Sequence, residues 1–541
     1  MKKFLALALA LVMMLSMAAF ASAEDKPVIT IAVSDATNIE DFNTNLHTLW
    51  LEEQVGVDIQ FEVYPSTDYN TKINMMIMTG GSELPDALIV GPSDAELLNW
   101  TSSVMLIPLT KYYEDKEASK NIWAAVERCG FDFTKQVVLG DGEIYCIPTY
   151  NQSYSNEYSK KLWMNTKFME KLGITEEPKN LDELYDLFVK VKNTDLNGNG
   201  KADEIPFAGN FWNTYDGWFH YIMNTQVYAA DNDYMIVNDD ETISMAYTTE
   251  GWKTGLKFIA KCFAEGLIPK ETLTMDSTQV LALLNSEEPT SMMWFYISLS
   301  RINATKTWRT DFDSFAPMAN EATGEMWAPH YEPSAANNGS FFITANCKNP
   351  DAAFAIGNAM ASFHSSISTR FGAEGIDWEY MNDEQAAAKN MVAVVPGFPC
   401  TIYVYNDADF WSSGKIQNNA FMQAGPYIRE YGAANGRTAP AGGVSAYDQI
   451  NNDANDFYQK AGWHMEKHVG KLNYTLEEME IISEIKPNLD TYMKEMNANF
   501  MAGNLDIDAT WDSYLAELEN IGLSQYLEVI SGVYARMYGT K

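Results

Sequence analysis

The stretch Val28-Ile29-Thr30-Ile31-Ala32-Val33 is an unbroken apolar and β-branched run that stops at the polar Ser34-Asp35-Ala36-Thr37-Asn38. Such a run, bounded by turn residues, is the pattern of a short strand buried on both faces. A helical pattern follows through about Gln54, and Val57-Asp58-Ile59-Gln60-Phe61-Glu62-Val63 then alternates apolar and polar as a second strand. Asp68 to Met78 reads as a helix, Leu84-Pro85-Asp86 as a turn, and Ala87-Leu88-Ile89-Val90 as a third strand opening into Gly91-Pro92-Ser93-Asp94. Strands alternating with helices predict an α/β lobe with a largely parallel sheet, whose ligands sit beyond the carboxyl ends of the strands. That rule puts Ser34, Asp35, Tyr64, Ser93 and Asp94 at the rim.

Further strands are expected at Ile144–Pro148, Leu162–Asn165, Met292–Tyr296 and Phe341–Thr344, with helices at about 166–172, 181–193, 249–265 and from Asn349-Pro350-Asp351 to about 362. Residues 363–480 read as irregular, and three helical patterns close the chain from Glu477 to Tyr538.

Before the first strand, Lys2 and Lys3 precede an apolar run from Phe4 to Phe20 and the small-residue site Ala21-Ser22-Ala23. This is the pattern of a secretory signal peptide, residues 1–23, cleaved after Ala23. No cysteine stands at the cleavage point, so no lipobox is seen; the expected address is extracytoplasmic, whether secreted, cell-surface associated or periplasmic. Cys129, Cys146, Cys262, Cys347 and Cys400 are widely spaced and odd in number, which favours buried thiols over a disulfide framework. A formal charge of −36 argues against nucleic acid or an anionic membrane as partner.

Asp195-Leu196-Asn197-Gly198-Asn199-Gly200-Lys201-Ala202-Asp203-Glu204-Ile205-Pro206 places oxygen-bearing side chains at alternate positions of a glycine-containing loop. Short carboxylate and amide arms in that spacing suit a hard cation, and the segment reads as a calcium loop. An EF-hand would need Glu at the twelfth position; Pro206 stands there, leaving Asp203 and Glu204 to close the site.

Together these features resemble the extracellular solute-binding proteins of bacterial ABC importers, sugar-binding family 1, in the branch of the alginate-oligosaccharide and LipO-like proteins. The resemblance rests on Gly81-Ser82-Glu83-Leu84-Pro85-Asp86, on Leu162-Trp163-Met164-Asn165 through Ile174, on the calcium loop with its Asp203-Glu204-Ile205-Pro206 ending, and on Asp506 through Tyr534. It implies a two-lobed periplasmic-binding-protein-like (type II) α/β fold with crossing hinge segments and a helical C-terminal region. The crossings would fall near 148–158, 292–300 and 344–350. The N-terminal lobe would comprise 24–150 plus 298–345 and the C-terminal lobe 151–297 plus 346–541. The implied ligands of a structural Ca2+ are Asp195, Asn197, Asn199, the Lys201 carbonyl, Asp203 and Glu204.

The function so implied is capture of an oligosaccharide between the lobes and delivery to a membrane permease, by a monomer without enzymatic activity. A sugar offers a C–H face and a rim of hydroxyls, which aromatic platforms and polar side chains recognise. The expected platforms are Trp212, Tyr215, Trp218, Trp294 and Tyr296; the polar candidates are Asp35, Asn38, Asp94, Asn151, Asn213, Asp216 and Asn337. His464 and His468 lie four apart, but Glu466 is misplaced for a zinc-protease motif. No nucleophile elbow or phosphate loop appears. A secreted carbohydrate-active enzyme and a peptide-capturing or sensory binding protein remain as alternatives.

Overall fold

A computed structural model describes residues 26–539 apart from 38, 156, 159, 212–216, 229–232, 329–334, 406–417 and 419–424. Ten strands build its two main sheets: β1 (Val28–Ser34), β2 (Asp58–Tyr64), β3 (Ala87–Val90), β4 (Cys146–Asn151), β5 (Lys161–Asn165), β6 (Ile205–Phe207), β7 (Ser291–Tyr296), β8 (Phe312–Phe315), β9 (Ala335–Ile343) and β10 (Ile428–Arg429). The first sheet has the order β10-β4-β9-β3-β1-β2, and the second has the order β8-β5-β7-β6.

The opening run behaves as its composition dictates. Ile29, Ile31, Ala32 and Val33 are buried, and β1 pairs in parallel with both β2 and β3. The sheet is mixed, because β9 runs antiparallel to both β3 and β4, while β10 returns parallel to β4. Apart from β9, every strand of this sheet therefore ends at one edge. The helices Leu46–Val55 and Tyr69–Met78 are as expected from their apolar spacing.

The second sheet packs against a helical mass. Glu250–Ala264 and the closing helices Leu476–Ala502, Ile507–Ile521 and Leu523–Tyr538 share its core through Trp252, Phe500, Trp511 and Tyr514. Thr475 opens the longest helix with a reciprocal cap to Glu478, and Gly503, at φ 74°, ends it.

Strand pairing relocates two of the expected crossings. The chain leaves β4 at Asn151 and enters the second sheet at Lys161, near the first expected crossing. After β7 it does not return; it turns through Leu299–Arg301 and adds β8 to the same sheet, Phe312 pairing with Asn165. The return runs from Phe315 to Ala335. After β9 the chain stays with the first sheet. The helix Pro350–Met360 places Phe354 and Ile356 in its core, and Asn358 Oδ1 accepts from the backbone N–H groups of Asn121 and Ile122. The last crossing follows Arg429 and precedes Ala446.

Residues 363–480 are more regular than expected, with helices Phe363–Phe371 and Ala446–Ala461. The second is rich in Asn and Asp, which weakens its helical signal. Tertiary contact fixes it: the Tyr458 hydroxyl accepts from Leu162 N at 3.0 Å and donates to Phe315 O at 2.8 Å, joining the helix to β5 and β8.

Lys161 has no exposed surface, and its ammonium donates to the carbonyls of Ser155, Tyr158 and Ile297 at 3.0, 2.7 and 3.0 Å. It pins the first crossing segment to the end of β7. The five cysteines are unpaired, four of them buried.

Candidate functional site

The carboxyl ends of β1, β2, β3, β4 and β10 bring Ser34, Tyr64, Val90, Asn151 and Arg429 to one edge of the first sheet. A cavity of about 470 Å³ opens there, lined among others by Ser34, Asp35, Ser66, Asn70, Gly91 and Gly339. Its volume lies within the range of small-molecule sites. Asp35 is exposed, and its Oδ1 accepts from Ser66 N at 2.7 Å, which fixes the loop after β2 against the loop after β1.

The cavity wall needs glycine at two places. A Cβ on Gly425 would stand 2.3 Å from the Gly339 carbonyl oxygen, and Gly339 itself adopts φ 75°. Beside them β9 bulges: Ala336 pairs with Thr149, but the next pair is Phe341 with Ile147. Asn337 lies in this bulge; its side chain is outside the described residues.

Asn151 ends β4 at the same edge, and its Oδ1 is enclosed without a hydrogen-bond partner among the described residues. Asp94 is exposed at the first turn of Asp94–Ser102, where Ser93 and Glu96 form a capping box. The carboxylate sits at the positive end of that helix.

The aromatic candidates divide differently. Trp218 is fully buried, packed against Phe211, Phe219 and Phe263 in the second core. Trp294 is 1% exposed and stacks on Trp163 at 5.8 Å, with the edge of Phe312 at its face. Neither ring offers an open face, so both are core residues in this structure. Tyr296 is half-buried at the end of β7, and the Arg301 guanidinium lies 4.3 Å from its ring centre. Trp212, Asn213, Tyr215, Asp216 and Asn38 lie outside the described residues.

The Asp195 loop is wound by its own side chains. Asp195 Oδ1 accepts from Gly198 N at 2.7 Å and its Oδ2 from Gly200 N at 2.8 Å; Asn197 Oδ1 accepts from Asn199 N and Asn199 Oδ1 from Lys201 N. Gly198 and Gly200 take φ of 82° and 86°, which the tight winding demands. Glu204 is 2% exposed: its Oε1 accepts from Leu196 N and Asn197 N at 2.6 and 2.7 Å, while Oε2 is enclosed with no partner. Among the described residues no three His, Cys, Asp or Glu side chains converge as a metal cluster. An all-oxygen set of carboxylates and amides, with one buried carboxylate oxygen unclaimed, nonetheless fits a hard cation.

Sequence reasoning missed Thr149, Tyr427 and Arg429 at the rim. β10 is only two residues long and forms by pairing with β4, so no local periodicity announces it. Among the described residues no helix is long and apolar enough to cross a membrane.

Known proteins agree with this architecture. The chain is 24% identical to the fructooligosaccharide ABC transporter substrate-binding protein FusA of Streptococcus pneumoniae serotype 4, covering 96% of this chain and 92% of FusA. Lipoprotein LipO of Bacillus subtilis is 26% identical over 42% of each chain. Structures of FusA with kestose and of a FusA EF-hand mutant with fructo-nystose superpose with TM-scores of 0.74 and 0.73, at 22% and 21% identity, each covering 95% of this chain and all of FusA. The alginate-binding protein AlgQ2 without calcium superposes with a TM-score of 0.66 at 18% identity, over 95% of this chain and 99% of its own. The two-lobed fold is common to all of them. Residues 36–362 match the pattern of the bacterial extracellular solute-binding proteins, and the chain belongs to that family.

Proposed function

We propose that this protein captures an oligosaccharide between its two lobes outside the cytoplasm and presents the closed form to the permease of an ABC importer. The observation that carries this reading is the polar cavity at the carboxyl rim of the first sheet. FusA, whose name specifies fructooligosaccharide, supports the ligand class. We place the first lobe at residues 26–151 with 335–429 and the second at 161–315 with 446–539. The protein acts as a monomer and does no chemistry on its ligand. Closure follows from contacts that form only when both lobes touch the sugar, a population shift driven by differential affinity.

Asp195, Asn197, Asn199, the Lys201 carbonyl, Asp203 and Glu204 would hold a structural calcium ion, which supplies charge to a loop already wound around oxygen acceptors. The loop joins the core helix Leu181–Lys192 to β6, so its order fixes an edge of the second sheet. The EF-hand mutant of FusA is consistent with a functional loop of this kind in that relative.

A thermal-shift screen against neutral and acidic oligosaccharides and peptides tests the reading. At least one oligosaccharide is expected to raise Tm; a rise with peptides alone overturns it. Chelation of calcium is expected to lower Tm, since an ion at a hundredfold its Kd stabilises the fold by about 2.7 kcal/mol. An unchanged Tm refutes the structural ion.

A further inference from the structure

The first sheet carries a group of polar atoms at the rim that its own fold does not satisfy. Among the described residues, Thr149 Oγ1, Asn151 Oδ1 and Arg429 Nε are each enclosed without a hydrogen-bond partner. Side chains alternate along a strand, so Thr149 and Asn151 share one face of β4, and Arg429, which pairs with Asn151, lies beside them. The residues between, Tyr150 and Ile428, point the other way into the core of the first lobe.

Arg429 is held in place without being neutralised. Its guanidinium lies 5.3 Å from the ring centre of half-buried Tyr427, and among the described residues no carboxylate pairs with it. Buried polar atoms are nearly always bonded, and leaving one unpaired opposes folding. Three gather on one face, with Thr149 Oγ1 beside the Gly339–Gly425 wall of the cavity, where the hydroxyls of a guest would satisfy them.

The donors and acceptors define that guest. A carboxylate sugar would suit the guanidinium but would set its oxygens against the Asn151 carbonyl oxygen, an acceptor. A neutral sugar with neighbouring hydroxyls meets both: one hydroxyl oxygen accepts from Arg429, and its O–H donates to Asn151 Oδ1. The Thr149 hydroxyl can give or take the next bond, and the Tyr427 ring supplies an apolar edge for C–H groups.

We propose that Thr149, Asn151, Tyr427 and Arg429 form a subsite for a neutral, hydroxyl-bearing sugar unit, so that the protein selects neutral oligosaccharides over uronates. This rests on the oligosaccharide-receptor reading above and specifies its ligand.

Calorimetry on the mature chain with calcium present tests it, using kestose, maltotriose and mannotriose as neutral probes and an alginate trisaccharide as the acidic one. A neutral probe is expected to bind at least tenfold more tightly than the uronate. For the neutral probe that binds, Arg429→Ala should weaken affinity about 100-fold and Asn151→Ala about 10-fold, the range for one charged and one neutral hydrogen bond. Arg429→Lys keeps the charge but loses the fork and should cost about 10-fold. Arg429→Met removes an unsatisfied buried group, so its ligand-free Tm should equal or exceed the wild-type value while affinity falls; a purely structural arginine would lower Tm instead. If the wild type binds a neutral sugar and the variants bind it equally well, the atoms are served by ordered water and the subsite is refuted. Preference for the alginate trisaccharide also refutes it. If the wild type binds none of the four sugars, the receptor reading falls as well.

Discussion

On the second sheet, Trp163 and Trp294 stand directly opposite each other on β5 and β7, stacked and shut away from solvent. On the first sheet, the ends of two neighbouring strands hold Asn151 and Arg429, with polar atoms enclosed and unpaired among the described residues. One pair of strands carries stacked rings at its centre, the other half-buried polar side chains at its end. The contrast teaches that a residue type suited to sugar is not evidence of a sugar site: Trp294 has both ring faces covered by neighbouring rings, whereas Asn151 and Arg429 are only half-buried at a sheet edge.

The sharpest way to break the comparison is to exchange roles by mutation. Trp294→Ala should destabilise the fold by about 3–5 kcal/mol, the usual effect of removing a large buried ring. Urea denaturation measures this, and a loss of less than about 1 kcal/mol would show that the ring is not core after all. Tyr458→Phe should be smaller, about 1–3 kcal/mol, because Leu162 N–H then lies buried without its acceptor. Unfolding in urea compared with wild type checks it.

The pH profile separates the lobes more gently. Burial, aided by nearby His364, lowers the His47 imidazole to about 3 from 6.5. The unfolded chain therefore takes up the proton first, and stability falls as pH drops from about 6.5 towards 3. Burial likewise lowers Lys161 to about 7 from 10.5, with Glu157 opposing the shift. There the unfolded state holds the extra proton between those values, so stability rises as pH increases from about 7 to 10.5. His47→Gln should flatten only the acid limb and Lys161→Met only the alkaline one; denaturation midpoints across pH 4–10 test both, and a change in the same limb for both variants would contradict the assignment.

Much of this molecule was legible in its sequence, for reasons that particular residues make plain. Val28–Val33 reads as a strand because the run is short, β-branched and bounded by turn residues, and Asp35 falls at the rim by the topology that follows. Trp218 and Trp294 were misleading because an aromatic residue in a short apolar element looks the same whether its ring faces a cavity or a neighbour. β8 was invisible: Phe312-Asp313-Ser314-Phe315 is four residues without a decisive pattern, and it becomes a strand only against β5. Arg429 escaped for the same reason, since pairing with β4 makes its strand.

The first crossing segment sets how the lobes can move. Gln152 is tied to the first lobe, its N–H donating to Arg429 O and its Nε2 to Cys129 O. Two residues later Tyr154 is tied to the second, its carbonyl accepting from Gln459 and its hydroxyl donating to Asp456; the Lys161 ammonium then holds Ser155 and Tyr158. Between the two sets of ties lies Ser153, whose hydroxyl meets that of Ser155 at 3.1 Å. This crossing is thus a short, tied passage rather than a loose ribbon: its hydrogen-bond partners change from one sheet to the other within three residues.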